Sequence, residues 1–124
     1  MSGYRKYIKV TVTVDGAQHE IALRPMTFEE SLSIYDAGEA AGPDKSPESR
    51  RAQRLKTRAL LADAVVSVTP AVVDADGSEL SAKELMSAHY FADAQRQAVE
   101  AWVDGSQPRD PTSPAESSGG GQST

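Results

Sequence analysis

Residues 8–23, IKVTVTVDGAQHEIAL, contain the clearest structural signal in this chain. From Ile8 to Val14, apolar and polar residues alternate, which is the period-two pattern of a strand with one buried face. Asp15-Gly16 follows, and this dipeptide supplies the positive φ angles that a two-residue hairpin turn requires. A turn at that point brings the apolar residues of both strands onto one face. We therefore predict an antiparallel β-hairpin over residues 6–24. The predicted register pairs Ile8 with Leu23, Val10 with Ile21, Val12 with His19 and Val14 with Ala17.

Capping signals predict three α-helices after the hairpin. Thr27 and Glu30 have the spacing of a capping box, and Ser81 and Glu84 repeat it. Ser46-Pro47 supplies a cap followed by proline at the first helical position, where its missing N–H costs nothing. These signals predict helices over about residues 28–41, 47–68 and 82–104.

The domain organisation follows from length and composition. A chain of 124 residues supports one domain, which we place at residues 1–105 with an α+β fold. Residues 106–124 are rich in Pro, Ser and Gly, which predicts a disordered tail. Ile, Leu, Val and Phe together make up 22 of the 124 residues, so the core is thin. A thin core buries little surface and favours association with a partner or with a second copy.

Composition also narrows the classes of partner. The chain contains no cysteine, so it has no disulfide framework and no thiolate ligand. Its net charge of −5 disfavours general binding to nucleic acids or anionic membranes. No leader segment and no run of about 20 apolar residues is visible, so we expect a soluble protein of the cytoplasm.

No residue pattern predicts catalysis, a cofactor or a metal site. His19 and His89 are the only histidines, and two distant histidines without cysteines make a poor ligand set. We interpret both as partly buried structural residues. The acidic segment Asp74–Glu79 has two alternating acids before Gly77 and a lysine where an EF-hand needs glutamate, so we predict an acidic turn. We accordingly expect a protein that is not an enzyme and has no small-molecule substrate.

The second predicted helix contains a run of positive charge. From Lys45 to Arg58 the chain has six basic residues and one acidic residue. Arg51, Arg54 and Arg58 share a helical face, and Arg50 widens it. Three interpretations remain open: a solvated face neutralised by the acidic first helix, a docking stripe for an acidic partner, or a nucleic-acid site. No aromatic residues interleave with the arginines, as single-strand binders would require.

Aromatic residues offer a second candidate binding feature. If apolar residues of the helices form a groove for helical partners, its anchors would include one residue from the first helix and two from the last segment. Ordinary core packing is the alternative for all three. The candidate anchors are Tyr35, Phe91 and Trp102.

The order of hairpin, capped helix, charged helix, third helix and loose tail resembles the small tail assembly chaperones of long-tailed bacteriophages. Many of these open with an alternating strand, an Asp-Gly or Asn-Gly turn, a short strand ending near Leu-Arg-Pro, and a helix starting Thr-x-x-Glu. The match covers about the first quarter of the chain. The residues that carry it are Ile8 to Gly16 and the run Ile21-Ala22-Leu23-Arg24-Pro25-Met26-Thr27-Phe28-Glu29-Glu30.

The resemblance implies a non-enzymatic role in tail morphogenesis. Such chaperones bind the tape measure protein, keep it soluble and recruit tail tube subunits in the host cytoplasm. It implies protein partners, including a second copy of the chain, and no cofactor. The alternative is a structural protein retained in the virion, such as a connector or tail completion component.

Overall fold

The computed structural model describes residues 6–107, which form a mixed α+β fold. The strands are β1 (Ile8–Val14), β2 (Ala17–Leu23) and β3 (Val65–Thr69); the helices are α1 (Phe28–Ala41), α2 (Pro47–Ala64), α3 (Ala82–Leu85) and α4 (Ala92–Ser106), with a single 3-10 turn at His89–Phe91. The strands form one antiparallel sheet in the order β1-β2-β3. Helix α4 packs across β1, and α2 packs beside α1.

The predicted hairpin is confirmed in both turn and register. Ile8 pairs with Leu23 and Val14 pairs with Ala17, with the intervening pairs in step. Asp15 and Gly16 have φ angles of 51° and 81°, which are the left-handed values that a two-residue hairpin turn needs. Along β1 the apolar residues face inward and the polar residues face solvent. The period-two pattern therefore fixes which side of the hairpin is buried.

One hydrophobic core joins the inner face of the sheet to the helices. The largest side chain in it is Trp102 of α4, which has no exposed surface. Its indole Nε1 donates to the Arg24 carbonyl oxygen at 2.7 Å, so the buried N–H has a partner. The other large, fully buried side chains are Ile21, Leu23, Leu61, Leu85, Met86, Gln95 and Val12.

The second predicted helix is shorter than expected, because its last residues form a strand. Helix α2 ends at Ala64, and the predicted helical residues 65–68 belong to β3 instead. The segment Val65–Thr69 is almost entirely β-branched, which disfavours helix and favours a pleated strand. Pro70 also biases the residue before it toward an extended backbone. By pairing with β2, this strand satisfies backbone groups that the hairpin alone would leave open.

The third predicted helix is also interrupted. The chain forms the short helix α3, then the 3-10 turn, and only then α4. The buried side chain of Gln95 stabilises the break, because its Nε2 donates to the carbonyl oxygens of Leu85 at 2.9 Å and Ala88 at 2.7 Å. The Leu85 carbonyl lies at the C-terminus of α3, where carbonyls have no intrahelical donor, and the Ala88 carbonyl also accepts from the Phe91 amide at 3.1 Å. Helix α4 continues past the expected stop at Asp104-Gly105 to Ser106, the first residue of the predicted tail.

The segment joining β2 to α1 is a network of hydrogen bonds centred on Arg24. Its guanidinium forms two bonds to the Glu30 carboxylate, at 2.8 and 2.7 Å. The same carboxylate accepts from the Thr27 amide at 2.9 Å, and the Thr27 hydroxyl accepts from the Glu30 amide at 3.1 Å. The predicted capping box is thus confirmed and reinforced by an arginine fork. The Arg24 amide also donates to the Ala64 carbonyl oxygen at 2.8 Å, which ties the end of β2 to the end of α2.

Within residues 6–107, no helix combines the length and the apolar character needed to cross a membrane. The predicted disordered tail lies, from residue 108 onward, outside the described residues.

Candidate functional site

A groove of about 570 Å³ lies between α1, α2 and α4, and its rim is basic. We call it the arginine groove and define it by Arg50, Arg54 and Arg58 of α2 and Arg96 of α4. Its apolar lining comes from α1, from α4 and from the segment before α1, whereas α2 contributes polar and basic side chains; Glu100 of α4 also lines the groove. The apolar lining residues are Met26, Ile34, Val99 and Val103.

Local sequence rules place the α2 arginines along the groove. The Ser46 hydroxyl accepts from the Ser49 amide at 3.1 Å and caps the helix, which starts with Pro47. From that start, the four-residue spacing of Arg50, Arg54 and Arg58 puts their side chains on one stripe.

Gly38 allows the α1 wall to lie close to α2. A Cβ added at this residue would sit 2.6 Å from the Nε2 of Gln53, so a larger residue here would require the Gln53 side chain to move. Gly38 weakens α1 as an isolated helix, because glycine lowers helix propensity. At this position Gly38 leaves room for the Gln53 side chain, which lines the arginine groove.

The three α2 arginines of the groove have no carboxylate partner in the described part of the chain. No ion pair within residues 6–107 involves Arg50, Arg54 or Arg58. The acids of α1 do not neutralise them, since Glu30 is paired with Arg24 instead. No observed ion pair therefore supports the interpretation that acids of the first helix neutralise the arginines of α2.

Arg96 differs from the α2 arginines because acids of its own helix hold it. It forms ion pairs with Asp93 at 2.7 Å and with Glu100 at 3.4 Å. The hydrogen bond from Arg96 lowers the pKa of Asp93 below its ordinary value. All these side chains are largely exposed, so the pairs contribute little to stability. They orient the Arg96 guanidinium beside the groove.

The structure does not bring all the predicted partner-binding residues together. Arg54 and Arg58 line the arginine groove, whereas Arg51 is exposed and lies outside its lining. Phe91 packs at the edge of the core, with its ring centroid 5.0 Å from that of Tyr90. Trp102 is fully buried, so it belongs to the core and offers no surface to a partner. The three aromatic residues therefore do not form a shared set of anchors.

Tyr35 belongs to a second exposed surface, on the outer side of α1. Phe28, Leu32 and Tyr35 recur at four- and three-residue spacing, and their exposed fractions are 76%, 44% and 53%. We call this stripe the α1 ridge. The Tyr35 hydroxyl donates to Glu39 at 3.0 Å, and this bond raises the pKa of the phenol. Gly38 is the buried residue of this helix and Ile34 is partly buried, whereas Phe28, Leu32 and Tyr35 face solvent.

The remaining predicted features are structural. His19 is buried, with Nδ1 2.6 Å from the Pro70 carbonyl oxygen, whereas His89 is exposed rather than partly buried as expected. The Asp74 carboxylate accepts from the amides of Asp76 and Ser78, which makes the acidic segment a hydrogen-bonded turn. Among residues 6–107, no group of three or more His, Asp or Glu side chains is placed to hold a metal ion.

Sequence reasoning missed the contribution of α4 to the groove. Arg96, Val99 and Val103 are separated from the α2 arginines by more than 35 residues, and no local pattern predicts that the two helices converge. Arg50 was visible as part of the basic run, but its place on the groove rather than that of Arg51 depends on the rotation of α2. In comparisons with known proteins, no family model, curated protein or solved structure matches this chain.

Proposed function

We propose that this chain is a non-enzymatic assembly chaperone of bacteriophage tails, which binds the tape measure protein and helps to recruit tail tube subunits. The observation that carries the proposal is the arginine groove. It combines a basic rim with an apolar floor, which is the surface that suits an amphipathic helix with acidic flanks. The order of elements and the Leu23-Arg24-Pro25 junction support the proposal through the resemblance to tail assembly chaperones.

The charge state of the groove supports protein binding in particular. Arg50, Arg54 and Arg58 form no ion pair within residues 6–107, and Glu100, the acid in the groove lining, is paired with Arg96, so a partner that supplies acids gains ion pairs with these three arginines without breaking existing ones. The apolar floor, which includes Val99 and Val103, adds the buried contact that makes such pairs specific. A site of this kind recognises a type of helix rather than one sequence, which suits a chaperone for a long helical client.

A virion structural component is the second candidate, and the open edge of the sheet favours it. In the observed register, the backbone groups of Lys9, Thr11 and Thr13 point away from β2. None of the three has a backbone partner on that side within residues 6–107. Such an edge can accept a strand from another protein and hold it permanently.

A co-purification experiment tests the chaperone. The tagged chain is expressed together with the tape measure protein from the same genome, and the retained protein is measured. We expect wild type and Arg51→Glu to retain it, because Arg51 lies outside the groove. We expect the triple change Arg50→Glu, Arg54→Glu and Arg58→Glu to lose it while the circular dichroism spectrum is unchanged.

Two results would contradict this proposal. Retention by the triple variant would remove the groove from the binding surface, and no retention by wild type would remove the tape measure protein as client. Mass spectrometry of purified particles separates the two candidates. A chaperone that acts in the host cytoplasm is absent from the finished particle, whereas a structural component remains in it.

A further inference from the structure

The chain contains three Asp-Gly dipeptides and no asparagine. In such a pair the aspartate carboxyl can react with the next amide, because glycine has no side chain to shield that amide. We infer that Asp76-Gly77 is the pair at which the folded protein forms isoaspartate spontaneously. The other two pairs are Asp15-Gly16 and Asp104-Gly105. This modification needs no client, so it goes beyond the proposed function.

The reaction consumes no reagent except water and changes no oxidation state. The Gly77 amide nitrogen attacks Cγ of the protonated Asp76 carboxyl. A C–N bond forms, a C–O bond breaks, and the hydroxyl leaves with the amide proton as water. Water then adds to one of the two carbonyls of the resulting succinimide ring. Opening at the main-chain carbonyl gives isoaspartate, whereas opening at the other carbonyl restores aspartate.

Exposure does not distinguish the three pairs, because all six residues are exposed. They differ in the motion that ring closure requires. The aspartate side chain has to swing against the next amide, and the backbone between them has to rotate. In a folded protein such a rotation occurs when the local structure opens. The rate at each pair therefore follows the free energy needed to open its own segment.

The turn around Asp76 is held by local hydrogen bonds. The Gly77 amide donates to the Asp74 carbonyl oxygen at 3.0 Å. The Asp74 carboxylate accepts from the amides of Asp76 at 2.8 Å and Ser78 at 3.0 Å. These bonds join residues of one exposed turn. Breaking them costs little, because water replaces the lost partners.

The reacting groups of this pair lie in open space. The Asp76 carboxylate forms no ion pair within residues 6–107. A Cβ added at Gly77 would meet no atom within 4 Å, so the ring has room to form. The segments beside the turn belong to no strand of the sheet and meet at one isolated bridge, between Val73 and Glu79. Opening this turn therefore leaves the sheet intact.

The hairpin pair is held from outside its own turn. The Asp15 carboxylate accepts a hydrogen bond from the Tyr90 hydroxyl, 75 positions later in the chain. The turn also closes the ladder of β1 and β2, in which Val14 and Ala17 form the last pair. The Gly16 amide has no backbone acceptor within residues 6–107, so the bound carboxylate and the ladder are what oppose the reaction.

The third pair lies in a helix that packs on the sheet. Asp104 and Gly105 belong to α4, in which each amide donates to a carbonyl one turn earlier. A Cβ added at Gly105 would sit 3.0 Å from the Ile8 side chain, so this glycine lies close against β1. Rotation of the backbone here would break the last turn of α4 and that contact together.

Peptide mapping of the full chain tests this assignment. One sample is kept folded at neutral pH, below its unfolding temperature, and a parallel sample is unfolded in urea. Isoaspartate is measured at each pair over time by separation of the peptides. It is also measured in total, by methyl transfer from labelled S-adenosylmethionine with an isoaspartyl methyltransferase. The matched variants are Asp76→Glu and Asp104→Glu, because glutamate has to close a less favourable six-membered ring.

In urea the three pairs should react at similar rates, because they share one dipeptide. In the folded protein we expect the rate at Asp76 to exceed the rates at Asp15 and Asp104 by about tenfold or more. Asp76→Glu should therefore remove most of the methyl-acceptor signal of the folded protein, whereas Asp104→Glu should keep it.

Three results would contradict this assignment. They are a folded-state rate at Asp15 or Asp104 that equals the rate at Asp76, a folded protein that forms no isoaspartate at Asp76 while the urea sample does, and an undiminished signal from Asp76→Glu. Cooperative thermal unfolding of each variant shows that its fold is intact. The tape measure protein is absent from this experiment, so its result is independent of the co-purification experiment.

Discussion

The β-hairpin and helix α1 both carry a regular apolar stripe, but the two stripes face opposite environments. In the hairpin, Val12 is 1% exposed and Ile21 is fully buried. In α1, Phe28 and Tyr35 are more than half exposed at the same kind of regular spacing. Periodicity therefore shows that an element has an apolar side. It does not show whether that side meets the core of the same chain.

The opposite side of each element explains the difference. The outer face of β1 carries Lys9, Thr11 and Thr13, which prefer water, so only its valine face can be buried. The face of α1 toward α2 carries Gly38, which leaves room for the Gln53 side chain, and Ile34, which lines the arginine groove. The buried position of α1 is therefore Gly38 and not the stripe of Phe28, Leu32 and Tyr35.

The largest expected effect on the free energy of unfolding comes from a substitution on the buried face of the hairpin. Val12→Asp places a carboxylate without a partner in the core and should cost about 3–5 kcal/mol. That is a large part of the total stability of a small domain. Circular dichroism during heating measures it, and Thr13→Asp on the exposed face of the same strand is the control. An unchanged unfolding temperature for Val12→Asp would mean that this face is not buried.

A smaller effect concerns the junction between the two elements. Glu30→Gln removes the charge that the Arg24 fork binds and should cost about 1–2 kcal/mol, since Arg24 is partly solvated. Glu29→Gln, one residue away and exposed, is the matched control. Urea unfolding at neutral pH measures the difference in the free energy of unfolding. Equal midpoints for the two variants would show that the Arg24–Glu30 pair contributes nothing to stability.

The same pair predicts a pH dependence. Hydrogen bonds from Arg24 lower the pKa of Glu30 in the folded state. The stabilisation from ionised Glu30 is therefore fully present at pH values above the pKa of glutamate in the unfolded chain, about 4.3. It is lost as the pH falls through the lower pKa that Glu30 has in the folded protein. The stability gap between wild type and Glu30→Gln should shrink in acid. A gap that stays constant to strongly acid pH would contradict this assignment.

The smallest expected effect on the free energy of unfolding comes from a substitution on the exposed face of α1. Leu32→Asp makes the same type of change as Val12→Asp, but on a side chain that solvent already reaches. Its effect on the free energy of unfolding should stay within about 1 kcal/mol, as for most surface substitutions. Thermal unfolding at low protein concentration isolates this effect from association. A loss as large as that of Val12→Asp would place the ridge in the core.

Local signals predicted the parts of the fold that local chemistry determines. The hairpin register followed from alternation and the Asp15-Gly16 turn, and both capping boxes formed as predicted. Strand β3 was missed because an apolar run beginning at Leu60 continues smoothly into Val65, and its partner β2 lies over 40 residues earlier. The break before α4 was missed because Gln95 stabilises it from within the following helix.

The candidate site was predictable to a similar extent. The spacing of Arg54 and Arg58 predicted a shared basic face, and both residues line the groove. Arg96 and the apolar floor were not predictable, because they come from α4 through tertiary packing. Trp102 is a second example of what the sequence does not reveal. Its place on an apolar helical stripe is compatible both with an exposed anchor for a partner and with a buried core residue, and the structure shows the latter.

The long reach of the Trp102 bond has a consequence for synthesis of the chain. The residues that it joins, Trp102 and Arg24, lie 78 positions apart, and the groove is lined by residues from Met26 to Gln107. On the ribosome, the hairpin and both N-terminal helices emerge while α4 is still being made. In a nascent chain the arginines of α2 are therefore present before α4 completes the groove that they line. Under the proposed function, binding of a client to the groove would have to wait until α4 has been synthesised and has packed against α2.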